Sequence, residues 1–348
     1  MGQKPDKPSL GVFGRLGLLP LFIAVLGKAL FSIISPLFVS RKNKPSTYYK
    51  WIVYSTFRTF SGSMTSAQEQ FLSPNTDQVY LKFCNDNKIK PKSETLDDGT
   101  KLHWIGDKEA SSVLLYFHGG GYNGPLIHAN LDFLSQHLDY LNGHSSPSSS
   151  KPRSYSALIL SYDLAPYARY PRQLAQAAMS LNYVLTTLGL APSHILLGGD
   201  SAGGHVAIDV LAHILHPHPD RSVQEVKLPN GQRLKAALLI SPWVELSSHA
   251  DAYRRNAWKD IIGPPSVKRW ATQFLAGAPR DPYNAPLTAP RGWWKGLSGI
   301  VEHLCICGST DEVLIDDIEQ FVEVLRAEWE GPGKLKVVRD WQEEVVPL

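Results

Sequence analysis

Short apolar runs punctuate the chain from Val113 onward, each closed by a turn signal and separated from the next by a stretch of helical period. Val113–Phe117 leads into a glycine-rich segment, Ala157–Tyr162 into Asp163, and Ile195–Leu197 into Gly-Gly-Asp-Ser. Ala236–Ile240 leads into Ser-Pro-Trp, Leu304–Cys307 into Gly308, and Leu335–Val338 closes the series. Runs that are apolar on both faces and alternate with helices predict a mostly parallel sheet covered on both sides, the α/β class. In such sheets chemistry collects beyond the carboxyl ends of the strands. Several of these runs end in small or polar clusters, which are the places to search for function.

Two regions break the alternation. The first hundred residues read as helical before an extended edge, and Ala250–Lys295 is rich in Trp, Pro and Arg. The expected organisation is an N-terminal segment, 1–45, followed by one α/β domain, 46–348, with cap elements at about 46–75 and 244–295. The Ser- and Pro-rich stretch Asn142–Ser156 reads as a solvated loop.

Leu16–Ser40 is strongly apolar, broken by Lys28, Pro20 and Pro36, and Arg41, Lys42 and Lys44 follow it. A spanning helix needs about 20 apolar residues, and a lysine at its centre costs roughly 2.5–3.5 kcal/mol. A single span with Lys28 at its midpoint therefore competes with an interface-lying helix or hairpin, and with a helix folded over the active site. A cleaved signal peptide fits less well, because no small-x-small cleavage site follows. The expectation is association with a membrane surface, at the endoplasmic reticulum, with the cytoplasm as the alternative.

Composition narrows the classes. Hydrophobic residues make up 43% of the chain and charged residues 19%, values of a protein that buries a sizeable core. A net charge of +3, without a basic stripe beyond the N-terminal clusters, gives no support for nucleic-acid binding. Three cysteines are too few for a disulfide framework. Cys305 and Cys307 alternate with Ile306, so they share a strand face and read as small apolar packing groups rather than metal ligands.

The chemistry centres on Gly199-Asp200-Ser201-Ala202-Gly203, which follows a strand and opens a helix. Gly-x-Ser-x-Gly is a nucleophile elbow, a sharp strained turn that presents the serine and leaves no room for side chains beside it. A serine hydroxyl needs a base and donors aimed at the developing oxyanion. Ala202, at the helix start, supplies one such amide, and Gly119 and Gly120 of His118-Gly119-Gly120-Gly121-Tyr122 supply the others. His118 reads as a brace for that loop, with Asp200 in a supporting position. His205, one turn into the helix, is expected to point away from Ser201, and His213, His216 and His218 to form a solvated helix end.

These motifs together resemble the hormone-sensitive-lipase-like group of α/β-hydrolases, and within it the fungal steryl-acetyl-hydrolase-like proteins. The matching residues are His118–Gly121, Ser161–Pro166 with Tyr170-Pro171, Gly199–Gly204, Ser241-Pro242-Trp243, and Glu312-Val313-Leu314 with Asp316-Asp317. The resemblance covers roughly Thr76 to Asp340. It implies an α/β-hydrolase fold with a helical cap and hydrolysis of a carboxylic ester, often the acetyl ester of a bulky lipophilic alcohol such as a sterol or secondary metabolite. No cofactor or metal is implied.

The acid stays open between two neighbours: the family spacing selects Glu312, and counting from Gly308 selects Asp311, with Asp316 the outsider. The family places its histidine on the loop after the last strand, where this sequence reads Arg339–Leu348 without one. Three explanations stand side by side: a truncated enzyme, a hydrolase-fold protein that binds a lipophilic ligand without cleaving it, or another histidine acting as base. Acyl transfer by the same serine is a further alternative.

Overall fold

The computed structural model describes residues 10–40, 44–143, 154–340 and 342–344. Most of the Asn142–Ser156 loop lies outside the described residues, as does the end of the chain after Glu344.

Nine strands form one sheet, in the order β1-β2-β4-β3-β5-β6-β7-β8-β9. They are β1 (Ser93–Thr95), β2 (Lys101–Ile105), β3 (Ser112–Phe117), β4 (Tyr155–Ser161), β5 (Ile195–Asp200), β6 (Leu234–Ile240), β7 (Val301–Gly308), β8 (Lys334–Arg339) and β9 (Gln342–Glu344). From β4 through β3 and β5 to β8 all neighbours are parallel. β1, β2 and β9 are antiparallel additions at the two edges. The six apolar runs of the sequence are thus the six parallel strands. The edge strands, short and less apolar, escaped that pattern.

Eleven α-helices accompany the described sheet: α1 (Val12–Leu16), α2 (Leu18–Ile34), α3 (Tyr48–Ser63), α4 (Ser66–Leu72), α5 (Thr76–Asp86), α6 (His128–Gly143), α7 (Arg172–Asn182), α8 (Ala202–Leu215), α9 (Ala252–Arg255), α10 (Pro264–Leu275) and α11 (Ile315–Glu328). The two-residue period of the strands divides the core between the sheet faces. Leu115 and Phe117 of β3 pack with α7 and α8, while Tyr116 joins Tyr80 and Phe83 of α5 and Leu131 and Leu134 of α6 on the other face.

The elbow is held by close backbone approach. At Gly203 a β-carbon would stand 1.9 Å from the Phe117 carbonyl oxygen, and at Gly199 it would stand 2.3 Å from the Gly203 carbonyl. Only glycine lets the start of α8 lie against the end of β3.

The segments expected as cap elements also meet one another. Arg269 of α10 donates to the carbonyls of Ser61 (2.6 Å) and Met64 (2.5 Å) and pairs with Glu69 of α4 at 2.7 Å. Arg58 of α3 donates to the Asp260 carbonyl. The apolar N-terminal stretch runs as helix from Val12 to Phe38, and α2 lies along α3.

Gly203→Ala should force β3 and α8 apart and cost about 1–3 kcal/mol or more. Gly299→Ala, where nothing lies within 4 Å of the added carbon, serves as control. Denaturant unfolding of the two variants should separate them clearly; equal stabilities would show that the elbow contact is not tight.

Candidate active site

Ser201 sits between β5 and α8 with φ 52° and ψ −117°, a backbone conformation unusual for a residue with a side chain. Three main-chain hydrogen bonds impose it. Ser201 N–H donates to the Ile240 carbonyl at 2.8 Å, and its own carbonyl accepts from His205 N–H (3.0 Å) and Trp243 N–H (3.1 Å). The Ser-Pro-Trp segment therefore clamps the elbow from the end of β6.

Asp200 connects that elbow to the glycine loop. Its Oδ1 accepts from the Tyr116 hydroxyl (2.7 Å), Gly119 N–H (2.9 Å) and Asn130 Nδ2 (3.2 Å). Removal from water pushes its pKa above the usual carboxylate value, while the Tyr116 and Gly119 donors pull the other way. The bond to Asp200 occupies the Gly119 amide, one of the three expected oxyanion donors. At Gly120 (φ +104°), Gly121 (φ +57°) and Ala202 the main-chain N–H groups have no acceptor among the described residues. A β-carbon at Gly120 would meet the Gly124 carbonyl oxygen at 2.6 Å, and one at Gly121 the Trp270 ring at 2.5 Å, so the loop's glycines are sterically required.

His118 is fully buried. Its Nδ1–H donates to the Gly119 carbonyl at 2.7 Å, leaving Nε2 to accept from the Thr76 hydroxyl at 3.3 Å. Its ring stacks on Tyr162 at 4.2 Å, and the Tyr162 hydroxyl donates to the His118 carbonyl at 2.8 Å. A histidine held this way braces the loop. His205 turns its Nε2–H to the Tyr283 carbonyl (2.9 Å) and stands 3.3 Å from Asp209, away from the elbow. The expected solvated helix end is a different matter. His213 is buried and donates to the Gln224 carbonyl, His216 donates to the Trp293 carbonyl, and His218, whose Nδ1 accepts from Asp220 N–H, donates through Nε2 to the Tyr170 hydroxyl oxygen. These three histidines tie α8 to the loops around it because the chain returns over that helix end.

A cavity of about 390 Å³ has Ser201, Ser241, Asp311 and Glu312 in its wall, with Lys50 and Tyr54 of α3 and Lys259–Ile262 opposite. No histidine lines it. The two candidate acids diverge within it. Asp311 pairs with Lys259 at 2.6 Å. Glu312 accepts through Oε1 from the Ser241 hydroxyl (2.7 Å) and Ser309 N–H (3.2 Å), while its Oε2 is buried without a partner. Burial pushes the Glu312 pKa up to about 7, against the pull of Ser241. Asp316 accepts from Ala252 N–H at 2.7 Å and pairs with Arg255, outside the cavity lining. Cys305 and Cys307 do share a face of β7, with their sulfurs 3.9 Å apart. Among the described residues no cluster of metal-binding side chains is present.

Sequence reasoning missed the roles of Tyr116, Asn130 and Ser241. Ser241 alone carried a signal, as part of Ser-Pro-Trp directly after a core strand.

Two outcomes follow. Asp200→Ala should orphan three donors and cost about 1.5–3 kcal/mol in denaturant unfolding, whereas Asp200→Asn, which keeps an acceptor oxygen, should cost less. The Glu312 pKa is raised on folding, so its stabilising contribution is complete below about pH 4.5 and is lost as pH rises through about 7. Glu312→Gln should remove on the order of 2–3 kcal/mol of that decline in urea unfolding between pH 4 and 8; an unchanged slope would mean that Glu312 is ordinarily solvated.

Residues 114–341 match the sequence profile of the family described as alpha/beta hydrolase fold. The acetyl-hydrolase of Streptomyces hygroscopicus is 27% identical over 258 residues, 72% of this chain and 70% of that protein. Steryl acetyl hydrolase 1 of Saccharomyces cerevisiae is 25% identical over 141 residues, 39% of this chain and 28% of that one. The crystal structure of an esterase from the bacterial hormone-sensitive lipase family superposes with a TM-score of 0.57 at 24% identity, covering 93% of this chain and 89% of that chain. The chain belongs to the alpha/beta hydrolase fold family, and its class is that of the carboxylic ester hydrolases.

Proposed function

We propose that this protein cleaves the ester of a small acyl group, acetate foremost, from a bulky lipophilic alcohol at a membrane surface. The reading is carried by one observation: Ser201, strained into the elbow conformation, shares a cavity with Glu312, whose Oε2 is buried without a partner. Ser201 Oγ attacks the ester carbonyl. The amides of Ala202 and Gly120 receive the oxyanion, with Gly121 beside them in place of Gly119. Glu312 is the acid, because Asp311 is engaged by Lys259 while Glu312 is held by Ser241 with one oxygen free for an imidazole N–H. A base must take the serine proton and return it to the departing alcohol before water releases the acid from the acyl-serine, and none of the residues lining the cavity is a histidine that could do so. The steryl ester named in the Saccharomyces cerevisiae relative supports a lipophilic alcohol, and the exposed apolar N-terminal helix supports a membrane setting.

A second reading has its own observation, since none of the cavity-lining residues is a histidine. In it the same cavity binds a lipophilic ester and cleaves it only at the level left by the oxyanion donors, some 10³–10⁴ over water.

Hydrolysis of p-nitrophenyl acetate and of a steryl acetate by the purified chain separates the two. Turnover that falls by about 10³-fold or more in Ser201→Ala supports the esterase. Ester binding retained by both proteins, with equal and residual turnover, supports the binding protein.

A further inference from the structure

The inward and outward faces of α2 are reversed relative to a helix on a water-soluble surface. Leu18, Leu21, Val25, Lys28, Ala29, Ser32 and Ser35 recur at helical spacing and are buried or half-buried. They include its only lysine and its serines. The Ser32 hydroxyl meets that of Ser55, the Ser35 hydroxyl accepts from Trp51 Nε1 at 3.1 Å, and the Lys28 ammonium lies 5.2 Å above the Trp258 ring. The opposite face is apolar and open: Leu19, Leu26 and Ile33, seven residues apart, are 66%, 61% and 53% exposed. On α3 a parallel stripe of Tyr49, Val53 and Phe57 is exposed as well. A contiguous apolar surface of this extent marks a contact rather than a water-facing wall.

We infer that α2 and α3 lie in the plane of a bilayer leaflet as one monotopic surface, and that the cavity over Ser201 opens at that surface. Two physical points choose this over a spanning helix. A span would draw Lys28 to the hydrocarbon centre, at about 2.5–3.5 kcal/mol, and away from Trp258, which belongs to the cavity-side loop and cannot follow it. It would also separate Ser32 and Ser35 from their partners on α3. Charge fits the same occupant: Arg41, Lys42 and Lys44 follow the apolar helix in sequence, where anionic headgroups attract them. Continuity with the site completes the case. Pro45, Ser46, Lys50 and Tyr54, between and within these helices, form one wall of the cavity that holds Ser201. A lipophilic ester dissolved in the leaflet would then enter without crossing water. This last step rests on the proposed substrate class; the placement of the helices does not.

The test uses the full chain with its three native cysteines replaced by alanine, a single new cysteine carrying an environment-sensitive fluorophore, and phosphatidylcholine–phosphatidylserine vesicles. Labels at Leu19→Cys, Leu26→Cys and Ile33→Cys should lose fluorescence equally to a lipid bearing a nitroxide near the headgroup, and a label at Ala29→Cys should keep it. A label at Lys50→Cys should be quenched by a headgroup nitroxide and spared by one deep in the acyl chain. Deepest quenching at Leu26→Cys, with Ala29→Cys matching it, would establish a span and overturn the inference. Absence of vesicle binding would overturn it too, as would a Lys50→Cys label untouched by headgroup nitroxide. None of these readouts depends on ester turnover, so they fail or succeed independently of the esterase assignment.

Discussion

One carboxylate oxygen, Oδ1 of Asp200, ties together the parts of the site that must not move relative to one another. It draws the Gly119 amide, the Tyr116 hydroxyl and the Asn130 amide to the last residue of β5, one position before the nucleophile. The glycine loop, β3, α6 and the elbow are thereby referenced to a single atom. The glycine contacts do the rest: Gly203 admits β3 against α8, and Gly121 admits the Trp270 ring against the loop. Electrostatic preorganisation of this kind matters because oxyanion donors act only when they are already aimed before the charge develops. The cost is a desolvated carboxylate, which its donors offset.

The acid side of the site is organised differently. Glu312 stands on the loop after β7 and depends on Ser241, the first residue after β6, for one of its two oxygens. Ser241 also has a left-handed backbone, φ 46°, and its N–H donates to the Cys307 carbonyl at 2.7 Å. The ends of β5, β6 and β7 thus interlock through main-chain bonds, with Ser201 N–H reaching Ile240 and Ser241 N–H reaching Cys307. The elbow and Glu312 are successive steps along one staircase of strand ends.

What could be read from the sequence follows the range of the forces involved. The elbow and the glycine loop were legible because their constraints are steric and local: only glycine tolerates those approaches, so the spacing survives as a pattern. The six parallel strands were legible because burial on both faces leaves unbroken apolar runs. Asp200 was visible only as a polar residue beside the serine, since its partners are 70 to 84 residues away. The choice between Asp311 and Glu312 was illegible for the same reason. Adjacent residues in a turn point in different directions, and only Lys259 and Ser241 distinguish them. The histidines at the end of α8 misled because a run of titratable residues after a helix resembles a solvated cap; the returning chain that buries them is not encoded nearby. Spacing identifies the glycine loop but does not tell which of its amides meets Asp200.

The roof over Ser201 is assembled from two stretches of chain that are about two hundred positions apart, and Arg269 and Arg58 are the pins that fasten one to the other. Residues of α3 supply a wall of the cavity directly. The segment between the apolar helix and α4 is therefore part of the cavity itself. Trimming it to obtain a more tractable protein would remove or loosen that wall of the cavity. Specificity measured on a shortened chain would then describe a wider, wetter vessel than the one the whole sequence builds.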